Sequence, residues 1–219
     1  MSIRILLADD HQMFREGLRA VLERDARMKV VGEASDGRQA MEMAVASPPP
    51  DVVVMDIGMP GLNGVDATRK ILADKPKMKV IALSGHTDRH FVAAMLEAGA
   101  SGYVLKEAAS EEILRAVLAV HRGGKYLSPE IAGTVIEDYL SHKAGAGNVP
   151  SRTALATRER EVVQLLAEGK TSKEVAELLH ISVKTVETHR RNIMSKLKIH
   201  SMAALTKFAI REGLTSIEG

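Results

Sequence analysis

The sequence predicts an α/β fold, a doubly wound five-stranded parallel sheet followed by a second, all-α domain. Three observations carry this expectation. Over the first 122 residues, short apolar runs alternate with amphipathic stretches, the pattern of buried strands and crossover helices. Asp9 with Asp10, and then Asp56, each close such a run, which gathers carboxylates where the carboxyl ends of parallel strands line a ligand crevice. From Thr157 onward only helical periodicity remains.

At 219 residues the chain suits one large or two modest domains, each able to bury a core. It has no Cys, which excludes disulfide scaffolds and thiolate metal sites. Met1-Ser2-Ile3-Arg4 leads straight into a strand, without a signal-peptide core. No apolar run nears the roughly 20 residues a membrane span needs. A cytoplasmic protein without membrane contact is expected. The formal charge of +2 hides an asymmetry: residues 1–124 hold 16 Lys and Arg against 17 Asp and Glu, residues 157–219 hold 11 against 8. An acidic-pocket module joined to a weakly basic one suits a nucleic-acid binder.

Strands are expected at Ile3 to Ala8, Met28 to Ala34, Asp51 to Met55, Lys79 to Leu83 and Gly102 to Leu105. Amphipathic helices at about 12 to 24, 37 to 46, 65 to 74, 88 to 97 and 110 to 121 separate them. After Gly123-Gly124 a short helix, Pro129 to Leu140, opens on Pro, whose missing N–H costs nothing there. Ser141 to Arg152, polar and holding Gly145, Gly147 and Pro150, reads as a linker. Three segments follow: residues 1–122, a linker with a short helix at 123–152, and 153–219.

In a doubly wound sheet ordered 2-1-3-4-5, the ends of strands one, three, four and five converge. Asp9, Asp10, Asp56, Ser84 and Lys106 meet there. Crowded carboxylates repel and raise one another's pKa unless a cation answers them; a hard ion such as Mg2+ is the expected answer. Asp56, alone on the middle strand, is the expected nucleophile, since a carboxylate can attack a phosphoryl donor to give an acyl phosphate. Asp10, supported by Asp9 and joined by the Gly58 backbone carbonyl, would hold the metal. Lys106 would pair first with the carboxylate and then with a phosphoryl oxygen, to which Ser84 would donate a hydrogen bond. A phosphohydrolase would need a second acid soon after Asp56, and Ile57-Gly58-Met59 supplies none. One stoichiometric acyl phosphate, not enzymatic turnover, is the expectation.

Asp9-Asp10, Asp56 with Met59-Pro60, Ser84 and Gly102-Tyr103-Val104-Leu105-Lys106 resemble the receiver domain of bacterial two-component response regulators, over essentially all of residues 1–122. The resemblance implies a flavodoxin-like sheet, Mg2+ as cofactor and phosphorylation of Asp56 by the phosphohistidine of a sensor histidine kinase. It also implies a switch pair, the Ser84 hydroxyl moving toward the phosphate while the Tyr103 ring turns inward. Many receivers place Pro after the Lys, and here Glu107 stands instead.

Further on, Thr157 is the expected N-cap of a helix with Val162, Val163, Leu165 and Leu166 inward, Arg160 standing where a capping-box Glu would be, and Gly169 ending it. Thr171 or Ser172 caps a second helix with Val175, Ala176, Leu178 and Leu179 inward. The turn His180-Ile181-Ser182 leads to a third, Val183 to Leu197, completing a helix-turn-helix whose second member can enter a major groove. At about 100° per residue Val186, His189, Ile193 and Leu197 share the inner arc. Lys184, Glu187, Thr188 and Arg191 share the outer, with Arg190 to one side.

The string Thr157-Arg158-Glu159-Arg160-Glu161, Gly169-Lys170-Thr171, Lys173-Glu174-Val175-Ala176 and Ser182 to His189 closely resembles the LuxR-type DNA-binding domain across 153–214. By that resemblance Glu187, Thr188 and Arg191 read bases in double-stranded DNA. Lys184, Thr185, Arg190 and Lys196 contact the backbone, and the last helix, Ser201 to Arg211, serves a homodimer. The whole chain is identified as a response regulator of the NarL/FixJ type, a transcription factor governed by phosphorylation of Asp56.

Overall fold

The computed structural model describes residues 2–85, 89–143 (side chains to 136) and 155–215. The chain divides into two compact units. Most of the expected linker, from residue 144 on, lies outside the described residues, as does the expected helix start at Asp88.

The first unit is a parallel sheet of strands β1 (Ile3–Ala8), β2 (Met28–Ala34), β3 (Val52–Asp56), β4 (Lys79–Ser84), β5 (Gly102–Leu105) and β6 (Tyr126–Leu127), in the order β2-β1-β3-β4-β5-β6. The expected five strands therefore become six. β6 is two residues long, too short to show any periodicity. Helices α1 (Gln12–Leu22), α2 (Gly37–Val45), α3 (Gly64–Asp74), α4 (Arg89–Glu97) and α5 (Ala109–His121) connect the first five strands and follow the fifth, and α6 (Pro129–Lys143) follows β6. The strands read as continuous apolar runs because both sheet faces are covered. Ile3, Ile5 and Leu7 cluster with Leu18 and Leu22 of α1 and Ile113 and Val117 of α5. Leu6 points the other way, where a side chain on Gly32 would meet Leu6 Cδ1 and Met43 Cε. Each such Leu contributes about 1.5–3 kcal/mol through burial.

Local polar chemistry fixes where helices begin. The Asp36 carboxylate accepts from the Arg38 and Gln39 amides to cap α2, and Asn63 Oδ1 accepts from Asp66 N at 2.9 Å to cap α3. β6 is held by Tyr126 N donating to Ser101 O at 3.2 Å and Ser128 N donating to Tyr103 O at 2.9 Å. Ser128 is fully buried; its hydroxyl donates to the buried Glu112 carboxylate of α5 and accepts from Leu105 N at 3.2 Å. That hydroxyl binds the exit of β5, one residue before Lys106, to the segment entering α6.

The second unit holds α7 (Thr157–Ala167), α8 (Ser172–Leu179), α9 (Val183–Leu197) and α10 (Met202–Arg211) around a core that includes Val162, Val163, Leu166, Val175, Val186, Ile193, Leu205 and Phe208. The N-cap of α7 is Ala156, not Thr157. Shifting the cap by one residue makes Glu159 the third helical residue, and its carboxylate accepts from Ala156 N at 2.8 Å. The return half of a capping box thus survives without a capping side chain. Thr171 caps α8, accepting from Glu174 N at 3.3 Å and donating to Glu174 Oε2 at 2.7 Å. Leu178, expected inward, is 43% exposed; Val175, Ala176 and Leu179 already fill the inner arc. Helices α8 and α9 end on His180 (φ 53) and Lys198 (φ 54), left-handed caps made without glycine.

Candidate functional site

Strand register assembles the acidic pocket. Ala8 pairs with Met55, Asp56 with Leu83, and Ser84 with Leu105. Asp9, Asp56, Ser84 and Lys106 therefore stand at or one step beyond the carboxyl ends of four adjacent strands. Lys106 Nζ lies 2.8 Å from Asp9 Oδ2 and 2.9 Å from Asp56 Oδ2, and 5.0 Å from the Phe14 ring centroid. Asp9, Asp56 and Ser84 are all buried. The loop after β3 folds back onto its own start: Gly64 N donates to Ile57 O at 3.0 Å, and a Cβ on Gly64 would come within 1.9 Å of the Asp56 carbonyl oxygen. Only glycine lets α3 begin this close to Asp56. Gly61, in the same loop, has φ +74, a backbone state glycine adopts without penalty.

The electrostatics follow from that crowding. Burial first, and then the Asp9 charge, push the Asp56 carboxyl above the usual carboxylate range, against the pull of Lys106 and the Gly58 N–H. Burial disfavours the Lys106 ammonium, but Asp56 and Asp9 outweigh it and hold its pKa above its ordinary value. A carboxylate of this kind, facing a fixed ammonium, is placed to attack an electrophile whose charge the ammonium then meets.

One ligand atom each from Asp9, Asp10, His11 and Asp56 lies within 4.8 Å of the others. Asp9 Oδ2 and Asp10 Oδ1 are buried, the first met by Lys106 Nζ and the second by His11 Nδ1, each at 2.8 Å. Converging carboxylate oxygens of this kind fit a hard divalent cation. Asp10 is half-buried, whereas Asp9, expected only in support, is the more enclosed. Gly58 presents its amide, 3.3 Å from Asp56 Oδ1. Sequence reasoning missed His11, whose Nδ1 is 2.8 Å from Asp10 Oδ1; adjacency to the acidic pair was its only signal. Tyr103 is fully buried, its ring already inside the fold.

In the second unit, Val186 and Ile193 of α9 are buried and His189 and Leu197 half-buried, which matches the expected inner arc. Lys184, Thr185, Thr188, Arg191 and Lys196 are exposed, and Glu187 and Arg190 half-buried. Thr188 Oγ1 donates to Lys184 O at 2.8 Å. Thr185 Oγ1 shares a 2.8 Å hydrogen bond with Ser182 Oγ. Ser172 Oγ donates to Glu187 Oε1, and Arg190 Nη1 stands 3.7 Å from Glu187 Oε2. Lys196 Nζ reaches back to Glu159 Oε2 at 2.8 Å. Burial alone would raise the Glu159 pKa, but Lys196 and the Ala156 N–H hold it below the ordinary range.

One unit thus presents a buried carboxylate facing an ammonium, and the other a helix with an exposed polar face. Residues 5–118 match the family described as response regulator receiver domain, and residues 153–209 the bacterial regulatory proteins of the luxR family. The chain is 41% identical over 214 residues to the transcriptional regulatory protein LiaR of Bacillus subtilis (strain 168), covering 98% of this chain and 100% of that one. It is 37% identical over 228 residues to the transcriptional regulatory protein DegU of Brevibacillus brevis, covering 99% and 96%. Among solved structures it is similar to that of two RcsB dimers bound to two parallel DNAs, with 25% identity, 97% of this chain and 99% of that one covered, and a TM-score of 0.58. The chain belongs to the two-component response regulators with a receiver domain and a LuxR-type DNA-binding domain. Both of these relatives are named as transcriptional regulatory proteins. Among the described residues, no helix is long and apolar enough to cross a membrane.

Proposed function

We propose that Asp56 is the phosphoryl acceptor and that its modification governs DNA binding by the C-terminal helices. The observation that carries this reading is the Lys106 ammonium, held within 2.9 Å of Asp56 Oδ2 and 2.8 Å of Asp9 Oδ2 at the sheet edge. A carboxylate oxygen of Asp56 attacks phosphorus. The bond from phosphorus to the imidazole nitrogen of a sensor histidine kinase's phosphohistidine breaks, its electron pair returns to that imidazole, and the imidazole takes a proton from solvent. Lys106 exchanges the carboxylate for a phosphoryl oxygen, and Ser84 donates to another. Asp9, Asp10, Asp56 and the Gly58 carbonyl would hold Mg2+, which supplies charge neutralisation on the phosphoryl oxygens.

Ser84 and Tyr103 act as the switch pair. The phosphate shifts a pre-existing equilibrium by its differential affinity for two states; moving 1:99 to 99:1 takes about 5.5 kcal/mol. Residues 1–122 form the receiver, 123–152 the linker with α6, and 153–219 the DNA-binding domain. Glu187, Thr188 and Arg191 read base edges in the major groove, while Lys184, Thr185, Arg190 and Lys196 meet phosphates. A homodimer, like the RcsB dimers on DNA, sets two copies of α9 on half-sites about 34 Å apart. The protein works in the cytoplasm, where its DNA is.

The test incubates the full chain with phosphoramidate and Mg2+, locates the acyl phosphate by mass spectrometry, and maps bound genomic fragments with and without the donor. One phosphoryl group on Asp56 and donor-dependent DNA occupancy, both lost in Asp56→Asn, are expected. Identical occupancy for wild type and Asp56→Asn under the donor overturns the phosphorylation-dependent reading. Rapid turnover of small phosphate esters overturns the non-enzymatic one.

A further inference from the structure

We infer that Ser172 is a positioning residue that fixes the base preference of Glu187, an inference that rests on the base-reading role proposed for α9. Ser172 is the first residue of α8, yet it takes no part in the cap, which Thr171 and Glu174 complete between themselves. Its hydroxyl instead crosses to α9 and donates to Glu187 Oε1, fifteen residues away in sequence. On the other side Arg190 Nη1 lies 3.7 Å from Glu187 Oε2. The Glu187 side chain is 44% exposed, so without these two neighbours it would sample many rotamers.

Orientation matters for what this carboxylate can read. An ionised carboxylate offers about four acceptor positions, so it can hold the Ser172 proton and still accept another. In the major groove both cytosine N4 and adenine N6 donate, at different places across the groove. A wandering carboxylate takes either. A carboxylate pinned from α8 meets only the donor at one place, and its ordering cost is met before the duplex arrives. Ser172 therefore touches no base and acts through Glu187.

Selection from a randomised duplex library by the full chain under phosphodonor tests this, with Glu187→Ala, Ser172→Ala and Ser172→Thr beside wild type. Glu187→Ala should erase the preference at one base pair of each half-site. Ser172→Ala should weaken the preference at that same base pair by about 3- to 10-fold, the scale of one lost hydrogen bond. Preferences elsewhere and the salt dependence of binding should stay unchanged, and Ser172→Thr, which keeps the hydroxyl, should restore the wild-type preference. Ser172→Ala leaves the Thr171 cap intact, so α8 still forms. A uniform loss of affinity, or a shift at other base pairs, overturns the positioning role. A silent Glu187→Ala overturns the base-reading role as well, whereas a shift in Glu187→Ala with none in Ser172→Ala overturns only the inference about Ser172.

Discussion

Replacing Ser128 by Ala is expected to destabilise the sheet-bearing unit by about 2–4 kcal/mol. The side chain is small and fully buried, so lost packing is a minor part of the cost. Its hydroxyl accepts from Leu105 N at 3.2 Å and donates to Glu112, which is 6% exposed. Removing it strands a buried N–H, worth about 1–3 kcal/mol, and takes a donor from a buried carboxylate for roughly another 1–2. The Tyr126 hydroxyl stays beside Glu112 and limits the loss. In a unit of this size the change corresponds to a fall in melting temperature on the order of 8–16 °C. Calorimetry and urea unfolding of the full chain measure it, and amide exchange at Leu105 locates it. In a Glu112→Met background, where no carboxylate is left wanting, the same substitution should cost about 1–2 kcal/mol less. A loss below about 0.5 kcal/mol, or unchanged exchange at Leu105, would refute the reasoning.

The acidic pocket makes its own demands on pH. Between pH 3.8 and its raised folded value, Asp56 keeps a proton in the folded chain that the unfolded chain has released, so its contribution to stability falls as pH rises through that window. Asp56→Asn should accordingly raise the melting temperature at pH 7; a lower one, by calorimetry, contradicts the sign. Lys106, with its pKa raised from 10.5, contributes stability that is complete below 10.5 and lost as pH climbs through the folded value. Lys106→Met leaves Asp9 and Asp56 facing each other and should cost about 3 kcal/mol in urea unfolding at pH 7. Gly64→Ala, whose Cβ would sit 1.9 Å from the Asp56 carbonyl oxygen, should cost about 1–3 kcal/mol and slow phosphoryl uptake by shifting Asp56; unchanged uptake and stability together would count against it. Lys184→Ala should weaken DNA binding evenly across sequences and lower the slope of log affinity against log salt by about 0.9, so an altered base preference in a titration series would move Lys184 out of the phosphate role.

Much of the sheet-bearing unit was legible because its signals are local. Apolar runs such as Val52 to Met55 mark buried strands whatever else the chain does, and Asp56 and Lys106 follow once strand ends are placed. β6 escaped because Tyr126–Leu127 is too short for a period. Ala156 displaced Thr157 as the cap since the return bond from Glu159 decided the register. Leu178 looked inward by composition, but three neighbours already filled the arc. The links from Ser128 to Glu112 and from Ser172 to Glu187 span 16 and 15 residues between separate elements, and no pattern along the chain announces a pair brought together only by packing. For α9, periodicity gave the right arcs, yet it had no means of revealing that Thr188 spends its proton on Lys184 O.

His180 and Lys198 hold backbone angles that cost a residue with a Cβ about 1–2 kcal/mol each. They lie at the two ends of the segment proposed to face the groove, His180 just before the turn into α9 and Lys198 just after its last residue. Unwinding there releases strain, so opening at those turns should cost less than opening the core around Val186 and Ile193. The proposed DNA-reading surface is thus bounded by two strained turns. A bound duplex that holds both shut would be felt first as slower amide exchange at Ile181 and Ile199, ahead of any change deeper in the helices.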